Sequence, residues 1–416
     1  MKKRKIVLSI VAVAVFISSF VFFSPVAKSV ESSWTVFYEV LDIVHREFVE
    51  KNVNTTDLIY GAIKGMLESL NDPYSRFMDP KAFGETKVHM KGEFYGVGIQ
   101  IGMKNNILTV IAPIEGTPAD KAGIKSLDYI VSIDGISTEK ISLEEAVNKI
   151  RGQKGTKVLL GIRRKGEKEV LEIPIVRGGI KLKSVNKSKM VTDSIGYVQL
   201  VTFESKEATK EIEDAISKLK EKKFKGLIVD LRNNGGGLLQ NAIQIASIFL
   251  KEGVIVQTVD RNSEKEIFSV VPRPVKVQSY LVILINEASA SASEILAGAI
   301  QDHKRGIIVG KHSFGKASVQ NIRPLSDGSA VLITIAKYLT PKGTDISKKG
   351  IIPDIESDFT TENIKVMSAP EYEYNEKDDV QLQKAISIMN DMMKSDQKSG
   401  KINKRQKLVT ANKNSD

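Results

Sequence analysis

The chain has 416 residues, 42% of them hydrophobic, which is enough apolar material for more than one buried core. Its formal charge of +11 suggests a nucleic-acid partner, but Lys2, Lys3, Arg4 and Lys5 carry +4 and residues 394–416 a further +5. The body is left with only about +2, so a basic binding face is not indicated, and zero cysteines exclude disulfides and thiolate sites.

Residues 1–30 open with a basic stub and continue as an apolar run at residues 6–23, just long enough to span a hydrocarbon core as a helix. Positive charge ahead of the run keeps that end cytoplasmic, so the remainder is expected outside the membrane. A cleaved signal ending at Ala27 would want a small residue two positions earlier, where Pro25 stands. The expectation is therefore an uncleaved single-pass anchor; cleavage would make the protein secreted.

Residues 31–85 read as a helical domain. Val36, Val40, Ile43, Val44 and Phe48, then Leu58, Ile59, Ala62 and Leu67, recur at helical spacing until Asp72-Pro73 stops the run. Such amphipathic helices pack either on their own domain or on a second copy, which leaves a homodimer through them open.

Residues 86–177 change texture: short β-rich runs alternate with turn residues, and one helical stretch covers residues 142–150. Phe94-Tyr95-Gly96-Val97-Gly98-Ile99, Gly116-Thr117-Pro118-Ala119, Ala122-Gly123-Ile124 and Ile133-Asp134-Gly135 occur in order, and together they resemble a PDZ domain of the type attached to bacterial proteases. Ser126-Leu127-Asp128 stands where that family usually has Pro-Gly-Asp. The resemblance implies a partner: amides of Tyr95, Gly96, Val97, Gly98 and Ile99 hold the terminal carboxylate of a peptide tail that adds to the following strand edge.

Residues 178–365 interleave apolar strands with helices, the pattern of an α/β core with a largely buried sheet. Residues 366–393 read as a C-terminal helix returning to that core, and residues 394–416 as a disordered basic tail. Two small-residue elements follow strand ends. Asp230-Leu231-Arg232-Asn233-Asn234-Gly235-Gly236-Gly237 lacks the Gly-Lys-Ser/Thr ending of a phosphate loop, but its glycines leave backbone amides for an oxyanion. Asn286-Glu287-Ala288-Ser289-Ala290-Ser291-Ala292-Ser293-Glu294 carries three alternating serines. Ser291 precedes Glu294 by three residues, the capping-box spacing, so it reads equally as a helix cap and as a nucleophile beside the amide of Ala292.

A nucleophilic serine needs a base. His303 or His312 with Asp302 or Asp345 would complete a Ser-His-Asp triad. Lys316 is the preferred candidate: were residues 317–322 a strand, Lys316, Ser318 and Gln320 would share a face, with Gln320 orienting the amine. Burial can lower a lysine pKa from about 10.4 towards about 7 to 8, where the amine accepts a serine proton.

The order PDZ, Asp230 to Gly237, the serine triplet, Phe314-Gly315-Lys316-Ala317-Ser318-Val319-Gln320 and Gly350-Ile351-Ile352-Pro353-Asp354 resembles the C-terminal (tail-specific) processing peptidases, which are PDZ-containing Ser-Lys serine proteases. Asn71-Asp72-Pro73-Tyr74-Ser75 and Asp379-Val380-Gln381-Leu382-Gln383 extend the resemblance towards both ends. It implies a multidomain α/β (α+β) protein with a ClpP/crotonase-like core, Ser291 as nucleophile, Lys316 as base, Gln320 in support, and Gly237 and Ala292 as oxyanion donors. Ala288 departs from the glycine common in relatives. Ser289 and Ser293 are expected to let the loop turn tightly, or to bond to their own backbone. No metal, cofactor or nucleic acid is implied; the partners are proteins or peptides with exposed C-terminal tails. A non-catalytic, membrane-tethered PDZ scaffold is the alternative.

Overall fold

A computed structural model describes residues 25–90, 93–104, 107–114, 116–181, 183–359, 363 and 375–399. The expected anchor at residues 6–23 lies outside them, and no helix among the described residues is long and apolar enough to cross a membrane. Two compact units divide after Phe77.

The first unit contains α1 (Pro25–Glu47) and α2 (Thr55–Glu68). The helical spacing is interrupted where the Asn54 side chain caps α2, accepting from Thr56 N at 2.9 Å. His45 Nε2 meets Thr55 Oγ1 at 3.0 Å and fixes the bend. Much of the apolar surface of α1 stays open, with Trp34 55% and Tyr38 63% exposed. The Asn71 to Ser75 stretch is a turn in which the Asp72 carboxylate accepts from Tyr74 N at 3.2 Å and Ser75 Oγ at 2.6 Å. It leads into β1 (Arg76–Met78), a short strand at the division between the units.

The second unit begins with α3 (Pro80–Met90) and β2 (Glu93–Gly96). Its β-rich module follows as β3 (Ile99–Lys104), β4 (Ile107–Pro113), α4 (Pro118–Lys121), β5 (Tyr129–Ile133), β6 (Ile136–Ser137), α5 (Leu143–Ile150), β7 (Lys157–Arg163) and β8 (Leu171–Val176). The sheet order β3-β4-β5-β7-β8 leaves β3 at an edge. Val97, Leu108, Val110, Ile130, Leu160 and Ile162 form its core. β9 (Gly178–Lys181) then pairs antiparallel with β2, bringing the chain back alongside its entry into the module. Leu127, where a glycine was expected from the resemblance, takes φ +68° with its side chain 63% exposed. Arg164 secures the turn: its Nε and Nη2 each donate to the buried Asp128 carboxylate at 2.7 Å.

The remaining elements are β10 (Val185–Thr192), β11 (Ile195–Leu200), α6 (Ala208–Glu221), β12 (Gly226–Asp230), α7 (Leu239–Phe249), β13 (Val254–Asp260), β14 (Lys265–Ser269), β15 (Tyr280–Ile285), α8 (Ala292–Asp302), β16 (Ile307–Gly310), β17 (Ser318–Pro324), β18 (Ala330–Leu339), β19 (Ile355–Glu356) and α9 (Val380–Ser399). The main sheet runs β10-β11-β12-β15-β16-β19, parallel from β11 onward, with β10 antiparallel at one edge. Strand alternation explains its two coats. Leu227 and Val229, with Leu281, Ile283 and Ile285, join α6, α7 and α8 on one face. Ile228, Val282 and Leu284 face α9 on the other, where Leu382, Ala385, Ile388 and Met389 pack. Each large apolar side chain so removed from water contributes about 1.5–3 kcal/mol before entropy is counted. α9 continues to Ser399, so residues 394–399 are helical instead of belonging to a disordered tail. β14, β13, β18 and β17 form a second, antiparallel sheet.

Candidate active site

Three loops leave the carboxyl ends of adjacent parallel strands, the usual location of ligand sites in open α/β sheets. Residues 231–238 follow β12, residues 286–291 follow β15, and residues 311–317 follow β16. The sheet order therefore puts the serine loop between the glycine loop and the lysine loop.

The serines have distinct environments. Ser289 and Ser293 are fully buried, and their hydroxyls donate to Leu231 O at 2.8 Å and Asn234 O at 2.9 Å. These bonds reach across to the glycine loop; the Ser289 hydroxyl also accepts from the local Asn286 N at 2.9 Å, the own-backbone contact expected, whereas among the described residues Ser293 Oγ makes only the crossing bond. Asn286 adds a reciprocal pair: its Nδ2 donates to Asn233 Oδ1 and its Oδ1 accepts from Asn233 N, both at 2.9 Å. Ser291 alone of the three is half-buried, and it sits at φ +56°, ψ −115°, a conformation costly for a residue with a Cβ. A strained, partly exposed serine at a strand-to-helix turn is the geometry of a nucleophile elbow.

Gly236 and Gly237 explain why the neighbouring loop lacks side chains. A Cβ on Gly236 would lie 2.6 Å from Ala290 O, 2.8 Å from Ser291 Cβ and 2.9 Å from Ala292 N. One on Gly237 would strike the Phe203–Glu204 backbone at 2.3 Å. The Gly236 N–H is committed to Asn234 Oδ1 at 2.9 Å. Ala292, the first residue of α8, has an amide that no intrahelical carbonyl can reach.

Glu294 and Tyr338 join the serine and lysine loops, a role that the sequence did not disclose. The Glu294 carboxylate is 1% exposed. Its Oε2 accepts from Ser291 N at 2.8 Å and Lys316 N at 3.0 Å, and its Oε1 from Ser313 Oγ and Gly315 N, both at 2.6 Å. The Tyr338 hydroxyl lies among Ser291 O at 3.3 Å, Glu294 Oε2 at 3.1 Å and Lys316 O, with one proton to donate. A buried carboxylate tolerates this position because several polar hydrogens and a helix N-terminus surround it. The capping-box spacing had marked only the contact to Ser291.

Lys316 is not on a strand. β17 begins two residues later at Ser318, and Lys316 is half-buried in the preceding loop, its amide turned to Glu294 in place of a ladder partner. Gln320 lies opposite Thr334 on β18, and its Nε2 donates to Ser318 Oγ at 2.8 Å and Thr334 Oγ1 at 3.2 Å. The alternative triad is not assembled among the described residues. His303 Nε2 is bonded to Val254 O and His312 Nδ1 to Ser313 O, while Asp302 receives Lys342 N and Asp345 receives Ser347 N.

Behind the glycine loop, Arg232 links two segments whose connection was not evident. Its guanidinium meets Asp230 Oδ2 at 2.6 Å and Asp379 Oδ2 at 2.8 Å, and Gln381 Oε1 at 3.0 Å. Burial would lower the Arg232 pKa, but the bonds to Asp379 and the charge of Asp230 outweigh it and raise the pKa. Asp230 also accepts from Tyr197 OH at 2.8 Å. The start of α9 is thereby tied to the root of the glycine loop.

In the β-rich module, Tyr95 and Gly96 end β2 opposite Gly179 and Gly178. Val97 is buried and its carbonyl accepts from Ala119 N at 2.8 Å; the Gly98 carbonyl accepts from Ile114 N at 2.9 Å. Ile99 opens the edge strand β3.

Residues 194–357 match Peptidase family S41, residues 109–164 match a PDZ domain, and residues 24–82 match the Activating protease CtpB N-terminal domain. The chain is 40% identical over 322 residues to a carboxyl-terminal-processing protease of Synechocystis sp., covering 75% of this chain and 74% of that one. It is 44% identical over 302 residues to a carboxy-terminal-processing protease of Bartonella bacilliformis, covering 72% and 69%. A solved structure from Bacteroides fragilis, described as of the S41 protease type, aligns with TM-score 0.53 at 12% identity over 84% of this chain and 96% of that one, a likeness of fold.

Proposed function

Because the chain belongs to peptidase family S41 and is, like its carboxyl-terminal-processing relatives, a PDZ-containing serine peptidase, we propose that Ser291 is its nucleophile and Lys316 its general base. The observation that carries this assignment is the Glu294 carboxylate, whose Oε2 accepts from the amides of both residues at once and so holds the two loops in register.

Ser291 Oγ attacks the scissile carbonyl and its proton passes to the neutral Lys316 amine. The carbonyl oxygen becomes an oxyanion held by the amides of Ala292 and Gly237, the Gly236 amide being committed elsewhere. Lys316 then protonates the leaving amine as the C–N bond breaks, leaving an acyl-Ser291. A water that gives its proton to Lys316 hydrolyses the ester and returns the hydroxyl. Gln320 donates through Nε2 to two neighbours, so its Oε1 is the atom that accepts from the lysine amine.

Substrate tails bind as a strand on β3, with their carboxylate at Tyr95, Gly96, Val97, Gly98 and Ile99. From the basic stub and apolar run we infer that residues 6–23 anchor the chain and that the ClpP/crotonase-like peptidase core works outside the cytoplasm. The open apolar surface of α1 supports a homodimer through the N-terminal helices.

The test is cleavage of a denatured protein with an apolar C-terminus by Ser291→Ala and Lys316→Ala. Both should lose activity by at least about 10³-fold while unfolding at the wild-type temperature, and a serine-reactive phosphonate should label wild type but not Ser291→Ala. Full activity in either variant overturns the assignment.

A further inference from the structure

The loop between β16 and β17 is held almost atom by atom. Ser313 is 1% exposed, its hydroxyl donating to Glu294 and accepting from Ile351 N at 2.6 Å. Gly315 and Lys316 give their amides to the same carboxylate, and the Gly315 carbonyl accepts from Lys348 N at 2.9 Å. Phe314 sits between these clamped residues, its amide donating to Ser289 O at 3.0 Å, yet its side chain is 54% exposed. These bonds fix the backbone on both sides of the ring, and a large apolar surface stands in water two residues before Lys316. No other aromatic in the second unit is among the exposed large hydrophobic residues described.

We infer that Phe314 is a specificity-determining residue, whose ring packs on an apolar side chain of the substrate residue that carries the leaving amine. This rests on the Ser291–Lys316 reading. The sheet order gives the direction: β12 leads to Gly237, the oxyanion donor from outside the serine loop, on one side of that loop, and β16 leads to Lys316 on the other, while Ala292 lies at the end of the serine loop itself. The departing nitrogen must face Lys316 to be protonated, so the residue attached to it lies on the lysine-loop side, where Phe314 is fixed. The acyl half of the substrate is directed to the glycine loop.

The experiment uses the full chain and decapeptides with one free apolar C-terminus, identical except for Gly, Ala, Leu or Phe at the residue supplying the leaving amine. Cleavage sites are read by mass spectrometry, and an ethyl ester of the same acyl half supplies a substrate without that residue. Wild type should prefer Leu or Phe over Gly. Phe314→Ala should lower kcat/KM roughly 10- to 100-fold for the Leu and Phe peptides and less than about threefold for the Gly peptide and the ester. Phe314→Leu should fall between. An unchanged preference in Phe314→Ala, or an equal loss on peptides and ester, overturns the inference. Phosphonate labelling of Ser291 at the wild-type rate in Phe314→Ala confirms that the nucleophile is intact. Cleavage by Ser291→Ala would instead remove the site assignment, and this inference with it.

Discussion

Replacing Glu294 by Gln tests whether one carboxylate sets the spacing of Ser291 and Lys316, the proposed nucleophile and base. The substitution keeps shape but puts an NH₂ where one oxygen stood. On the Oε2 side that group would face the amides of Ser291 and Lys316 and the Tyr338 hydroxyl; on the Oε1 side it would face the Gly315 amide and the Ser313 hydroxyl. The second orientation disrupts fewer donors, because the Ser313 hydroxyl can rotate to accept while the Gly315 amide cannot. One buried N–H is then unsatisfied, costing about 1–3 kcal/mol, and the other bonds lose their charge-assisted strength, so a destabilisation of roughly 2–4 kcal/mol is expected. Gly315 precedes Lys316, and a shift of about 1 Å in a reacting group costs on the order of 10²-fold in rate. Urea unfolding gives the first quantity, and kcat/KM with the phosphonate labelling rate of Ser291 gives the second. A variant with wild-type stability and kcat would refute the claim that this carboxylate registers the loops.

Gly236→Ala should lower kcat/KM by at least about 10²-fold, because the added methyl group collides with Ala290 O and Ser291 Cβ, and φ +98° is strained for alanine; steady-state peptide hydrolysis checks it. Leu127→Gly should stabilise the protein by about 0.5–1 kcal/mol, since the left-handed strain of an exposed leucine exceeds the entropy cost of glycine; urea denaturation measures it. Hydrogen bonds with Lys311 hold the carboxyls of Glu287 and Asp358 below their usual range, so their contribution to stability is present above about pH 4 and fades as pH falls through the depressed values. Lys311→Met should therefore be less stable than wild type at pH 6, with the gap closing towards pH 3; a gap that widens on acidification contradicts the ion-pair account.

The glycine and serine loops were legible from the sequence because each follows an apolar run and is built from residues that suit turns and helix starts, whereas the lysine segment read as a strand. β12 and β15 are apolar at successive positions, which only a sheet covered on both faces requires. Ser291 as a candidate nucleophile came from its place before a helix, and Lys316 from the face it would share with Gln320 on an expected strand together with the family resemblance.

What the sequence could not disclose is how distant segments replace local bonds. Glu294 read as a cap because a capping box spans three residues, whereas its contacts to Gly315 and Tyr338 depend on β16 and β18 being folded alongside. The same carboxylate takes the Lys316 amide, which leaves Lys316 in the loop before β17. Arg232 needs Asp379 from a helix that packs on the opposite face of the sheet, and the packing of Met389, Met392 and Met393 there carries α9 into a lysine-rich stretch whose composition suggests disorder. Composition and periodicity report what a residue prefers among its chain neighbours; a buried charge is settled by whatever donors tertiary packing brings around it.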